Sequence, residues 1–217
     1  GEALVAADQA LASSRRRDIA VAVADLNRIN GNHERARKLY DEIIAADLEA
    51  KQPDWRVLFA RANALSAGGN WKAADADAVA ALAIEPDRPE IQNFLGFGWV
   101  ERGEHVEQGM TLIRKAAAAR PDQGYIVDSL GWAHFQLGQY SEAVLQLERA
   151  TELSPADAEI VDHLGDAYWR AGREAEARYQ WIAALRLKPG PEREQSLRGK
   201  LDKGLPAMPA ASLASRP

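Results

Sequence analysis

The pair Leu130-Gly131 recurs 34 residues on as Leu164-Gly165. Gly138, Ala143, Ala150 and Pro155 recur at the same spacing as Gly172, Ala177, Ala184 and Pro189. Self-similarity at this period marks a chain built from one repeated unit of two helices. Such a unit cannot bury its apolar face alone and must stack on its neighbours. The expected fold class is therefore all-α, with antiparallel helix pairs stacked into a right-handed superhelical solenoid. That expectation also sets catalysis aside before any motif is weighed.

The register extends in both directions from the two clearest repeats, 124–157 and 158–191. Leu95-Gly96, Gly103, Ala116 and Pro121 mark a repeat at 89–123, one residue longer because the turn Gly103-Glu104-His105-Val106 carries an insertion. Gly69, Trp71, Ala74, Ala81 and Pro86 mark 55–88, and Ala24, Gly31, Ala36 and Tyr40 mark 17–54. The exit of that first repeat is stretched across Asp47–Asp54, where Pro53 suits a non-helical link. Ala3, Ala7 and Ala10 fall on second-helix slots, so residues 1–16 read as the remnant of a preceding repeat, uncovered on one side. Such an end is expected to fray or to dock on another surface. Residues 191–203, with Leu197 and Leu201, read as a capping helix. Residues 204–217, rich in Pro, Ala and Ser, read as a disordered tail.

The small residues have a packing reason. Those on the first helix should face those on the second: Ala24/Ala36, Ala62/Ala74, Gly96/Gly109, Gly131/Ala143 and Gly165/Ala177. Larger side chains such as Leu147 and Trp181 then fill the space around each contact. On this reading Gly165→Leu overpacks its pair, and Gly172 supplies a left-handed turn residue.

Composition narrows the function. A formal charge of −5 lacks the basic footprint that a nucleic-acid partner requires. With no cysteine there is no disulfide framework, thiolate metal site or cysteine nucleophile. No run of 18 apolar residues is present to span a membrane. The start at Gly1, without Met or signal peptide, suggests a processed product or an excised piece. Of four histidines, His134 occupies an inward slot and reads as a packed core residue. Asp162, His163 and Asp166 have metal-like spacing, but only the two aspartates share a helix face, with His163 about 100° away. No phosphate loop, HExxH or GxSxG occurs, so no catalytic residue, cofactor or metal is expected.

The inner face is more informative. Slots two, five, nine and twelve of each first helix are expected to project into the concave groove. In the last three repeats they are Glu90, Asn93, Phe97, Val100; Tyr125, Asp128, Trp132, Phe135; and Glu159, Asp162, Asp166, Trp169. The first two repeats contribute Asp18, Val21, Asp25, Arg28 and Arg56, Phe59, Asn63, Ser66. Aromatic residues therefore line a groove that is acidic in its last three repeats. The candidate partner-binding residues are Phe97, Tyr125, Asp128, Trp132, Phe135, Asp162, Asp166 and Trp169. A Lys- or Arg-bearing protein segment is the partner such a groove would select. The plainer alternative has Trp132 and Phe135 packed against neighbouring repeats and the acids simply solvated.

The period of 34 with this small-residue pattern is the signature of a tetratricopeptide array. Gly124-Tyr-Ile-Val-Asp-Ser-Leu-Gly-Trp132, Asp162-His-Leu-Gly-Asp-Ala-Tyr-Trp-Arg170 and Arg178-Tyr-Gln-Trp181 carry a narrower resemblance. Over about residues 55–203 the chain resembles the carboxyl-terminal half of long exported proteobacterial tetratricopeptide proteins. Some of these are outer-membrane lipoproteins, and one branch is the adaptor of a periplasmic carboxyl-terminal processing protease. The resemblance implies a periplasmic location, with any lipoprotein anchor upstream, and a protein partner that includes such a protease. The expected function is a non-catalytic interaction scaffold. The alternative is a chain that assembles with itself through stacked repeats.

Overall fold

In the computed structural model the described residues are 2–14 and 16–206, and the regular structure among them is entirely helical. The helices are α1 (Glu2–Ser13), α2 (Arg17–Ile29), α3 (His33–Glu49), α4 (Trp55–Ala67), α5 (Trp71–Ile84) and α6 (Pro89–Arg102). They continue as α7 (Val106–Ala119), α8 (Gly124–Gln136), α9 (Tyr140–Leu153), α10 (Ala158–Arg170), α11 (Glu174–Arg186) and α12 (Pro191–Lys203). The chain forms two compact units, Gly1–Ile91 and Gln92–Pro217.

Within the first unit α2 pairs with α3 and α4 with α5. Ala24, Ala36, Ala62 and Ala74, one from each helix, are fully buried where small residues were expected. The stretched exit of the first repeat is held by charge. Arg17 grips Asp47 with two bonds of 2.7 Å and reaches Asp54 at 3.0 Å, while Asp54 caps α4 by accepting from the Arg56 amide. Arg61 ties α4 to both α5 and α3 through Asp77 and Asp41. Helix α1 lies against α2 with Leu4 and Leu11 half-buried and Val5 exposed. The side chains of Ala3, Ala7 and Ala10, on which the truncated-repeat reading rests, lie outside the described residues.

Each pair turns in the same way. At Gly172 (φ 80°) the amide donates to the Trp169 carbonyl, and the Arg173 amide reaches back to Tyr168. That is a Schellman closure, in which the left-handed residue satisfies carbonyls the helix end leaves free. The inserted turn of the third repeat needs a second left-handed residue, His105 (φ 42°), whose ring lies 5.0 Å from Trp99.

In the second unit the small-residue contacts are of two kinds. Gly96 and Gly109 face each other: a Cβ on either would come within 2.8 Å of the other's carbonyl oxygen. Gly131 and Gly165 instead make room for a large side chain. A Cβ at Gly131 would lie 2.6 Å from Leu147 Cγ, and one at Gly165 would lie 2.5 Å from Trp181 Cδ1. The expected Gly165/Ala177 approach is present, with the Ala177 carbonyl oxygen 3.3 Å from such a Cβ, but in both pairs the nearest neighbour is the side chain one turn beyond the alanine. Leu147 and Trp181 are completely buried and anchor the core, with Leu164, Ala177 and Ala184 around them. His134 is buried as expected, its Nδ1 against Gln139 Oε1.

Helix α12 closes this core. Leu197 is fully buried in it, with Leu201 and Leu205 packed at its edge. Residues 204–206, expected to be disordered, are placed: Gly204 is buried against the Trp169 ring, and Arg170 donates to the Pro206 carbonyl. The rest of that predicted tail, 207–217, lies outside the described residues.

Candidate functional site

The groove residues expected from the helical register divide into two sets. Phe97 and Trp132 are half-buried and Tyr125 is 47% exposed. Trp169 is also half-buried, lying under Gly204 and beside Trp181. Phe135, Asp128, Asp162 and Asp166, by contrast, are buried. The reading of those three aspartates as open groove acids is corrected, because each has a partner within the chain.

Asp128 on α8 faces His163 on α10, its two oxygens 2.9 and 3.1 Å from Nδ1. The same relation recurs one repeat earlier, where Asn93 on α6 donates to Ser129 on α8 at 3.1 Å. Slot five of one first helix therefore meets slot six of the next. This is a buried polar seam between successive first helices, not a wall of the groove. Trp132 is clamped in it, stacked on Phe135 at 4.6 Å and on His163 at 4.0 Å between centroids.

In the last repeat the incoming helix is α12. Lys200 Nζ lies 2.7 Å from Asp162 and 2.8 Å from Asp166. Arg193 reaches Glu159 at 2.8 Å and Asp162 at 3.3 Å. Trp181 Nε1 donates to the other Asp166 oxygen at 2.9 Å. Burial pushes the Asp166 carboxyl above the usual range, against the pull of Lys200; Asp162 adds to the rise. A partner segment bearing Lys or Arg was expected across Asp162 and Asp166; the cations that meet these two aspartates are the chain's own, Lys200 and Arg193 of α12. The signal was present in the sequence: Arg193, Leu197 and Lys200 stand at i, i+4 and i+7, one helical face.

His163 gives the seam a titratable contact with Asp128. Burial opposes its charge, but the Asp128 hydrogen bond and the charges of Asp128, Glu159 and Asp162 outweigh that and raise its pKa. The ring also stacks on Trp132, a contact that favours the protonated form. A histidine whose folded pKa is raised stabilises fully below its unfolded value of about 6.5, and the contribution fades as pH rises through the folded value. The His163 resonances are therefore expected to titrate above pH ~6.5 in NMR, and His163→Gln to cost more stability at pH ~5.5 than at pH ~8.5. A cost independent of pH would show that the ring is neutral throughout.

These arrangements define the class: an all-α helix-pair repeat fold of the tetratricopeptide type, with a polar seam between its first helices. The tetratricopeptide repeat family model matches residues 129–192. A TPR repeat-containing protein of Pseudomonas aeruginosa is 26% identical over 121 residues, which is 56% of this chain and 20% of that protein. The chain thus matches only about a fifth of that relative's length. Among solved structures, MamA of Desulfovibrio magneticus RS-1 (residues 41 to the end) superposes with a TM-score of 0.66 at 17% identity, covering 79% of this chain and 94% of that one. MamA of strain AMB-1 gives 0.60 at 23% identity, covering 84% and 97%. At these identities the likeness is one of fold.

Proposed function

We propose that this chain is a non-catalytic protein-interaction scaffold, whose first helices in the repeats 89–123 and 124–157 hold a segment of a partner protein. The carrying observation is the set of aromatic side chains that these helices leave partly exposed. Tyr125 at slot two, and Phe97 and Trp132 at slot nine, each keep part of the ring open. Partly exposed aromatics of this kind often dominate binding energy. Asp128 ties α8 to α10, while Asp162 and Asp166 hold α12.

The resemblance to exported proteobacterial proteins supports a finer reading. Here the partner is a periplasmic carboxyl-terminal processing protease, and the full-length protein is attached to the outer membrane. No helix among the described residues is long and apolar enough to cross a membrane.

The test is titration calorimetry against a purified protease of that class and against partners captured with the chain. Trp132→Ala and Tyr125→Ala are each expected to weaken binding about 30-fold while α-helical content is retained. Equal affinity of parent and folded variants for a captured partner would remove the groove from the proposal. Binding to another protein but not to the protease would remove only the finer reading.

A further inference from the structure

Helix α12 is joined to α11 by Leu187-Lys188-Pro189-Gly190, and the strain in this link sits on one residue. Lys188 adopts φ 54°, in the left-handed region that a side chain with a Cβ disfavours. It also precedes Pro189, and the residue before a proline prefers an extended backbone. Gly190, before Pro191, is already extended at φ −59°, ψ 162°. Straightening the hinge therefore relieves Lys188 and requires nothing new of Gly190.

The helix itself depends on its seat. Gly199 lies in its interior, yet a Cβ there would meet nothing within 4 Å, so packing does not call for the glycine that weakens the helix. What orders α12 is the seat: Leu197 in the core, Lys200 on Asp162 and Asp166, and Arg193 on Glu159 and Asp162. Every one of these contacts can be made equally by the α12 of another copy. Exchange then exposes no seat and buries no unmatched charge. Only the entropy of association opposes it, and short strained hinges favour that outcome.

We propose that two copies of this chain exchange α12 reciprocally, each placing its Arg193, Leu197 and Lys200 on the other's α10 with the 187–190 hinge extended. The proposal is independent of the partner surface on the third and fourth repeats. It also differs from end-to-end stacking of repeats, since the interface is one the single chain already contains.

The chain has no cysteine, so single thiols can report the exchange. Two differently tagged full-length chains, one Glu159→Cys and one Arg193→Cys, are incubated together and treated with a short bis-maleimide. A third chain carrying both cysteines shows that the rim pair is reachable within one copy. Exchange gives a cross-linked product bearing both tags. It also gives, in light scattering on the unmodified chain, an about twofold rise in mass with concentration. Glycines inserted after Lys188 relax the closed hinge and should shift the mass back towards one chain. The proposal is overturned if the unmodified chain keeps the mass of one copy at every concentration. It is overturned equally by a dimer that ignores the hinge insertion and yields no doubly tagged product.

Discussion

Lys200→Met is expected to destabilise the second unit by about 3 kcal/mol near neutral pH, measured by urea unfolding. Methionine keeps most of the apolar stem, so the loss is electrostatic. Asp162 and Asp166 are both buried, and Lys200 bridges them. Removing one partner of a buried ion pair leaves a carboxylate without compensation, which costs far more than the pair itself contributes. Arg193 still reaches Asp162, so the effect should fall at the low end of the usual range. The pH dependence supplies a second signature. Asp166 already has a raised pKa, and losing Lys200 raises it further. A carboxyl raised in the folded state binds its proton more readily there than in the unfolded chain. Its unfavourable contribution is therefore absent below the unfolded value and complete once pH exceeds the folded value. The deficit of Lys200→Met should shrink on acidification, and Lys200→Met with Asp166→Asn should regain part of the loss. A Lys200→Met chain that unfolds with the parent at pH ~7 would mean that water, not burial, sets the energetics of this cluster.

Trp181→Ala should cost a comparable amount, about 3–5 kcal/mol, because it empties the centre of a fully packed core. Trp181→Phe should cost about 1–2 kcal/mol, keeping most of the volume but removing the N–H that Asp166 accepts. The two glycine-paired helices add a diagnostic. Gly165→Leu alone drives a side chain into the Trp181 ring and should destabilise by about 1–3 kcal/mol or more. Combined with Trp181→Ala, the same leucine enters the vacated space, so the double variant should be less destabilised than the sum of the two. Additive losses in thermal or urea unfolding would show that Gly165 and Trp181 do not share that space.

The charged seam explains why the candidate groove was only partly legible. A helical register states which residues share a face, and Asp128, Trp132 and Phe135 do share one. It does not state where on that face the next helix arrives. Slot five of a first helix turns to the following first helix, and slot six, about 100° away, turns to the preceding one. Asp128 is therefore taken by His163, and Asn93 donates to Ser129. The metal-like spacing of Asp162, His163 and Asp166 resolves in the same way: the two acids turn to α12 and the histidine turns to α8.

What the sequence determined by itself is the helix-pair plan, because its signals are local and recur with the period. A glycine that alone accepts a left-handed turn at little cost, and an alanine that alone permits a close approach, mark the same slots in any single repeat. What only the tertiary structure decided is the fate of each inward side chain. Leu147 and Trp181 take the room beside the glycines, and α12 covers the acids of the last repeat. Those outcomes depend on which volumes and charges meet across helices 15 to 38 residues apart in sequence, as Trp181 meets Asp166 and Lys200 meets Asp162. Burial then converts each meeting into energy, since an unfilled space or an unpaired charge is costly only where water cannot reach it.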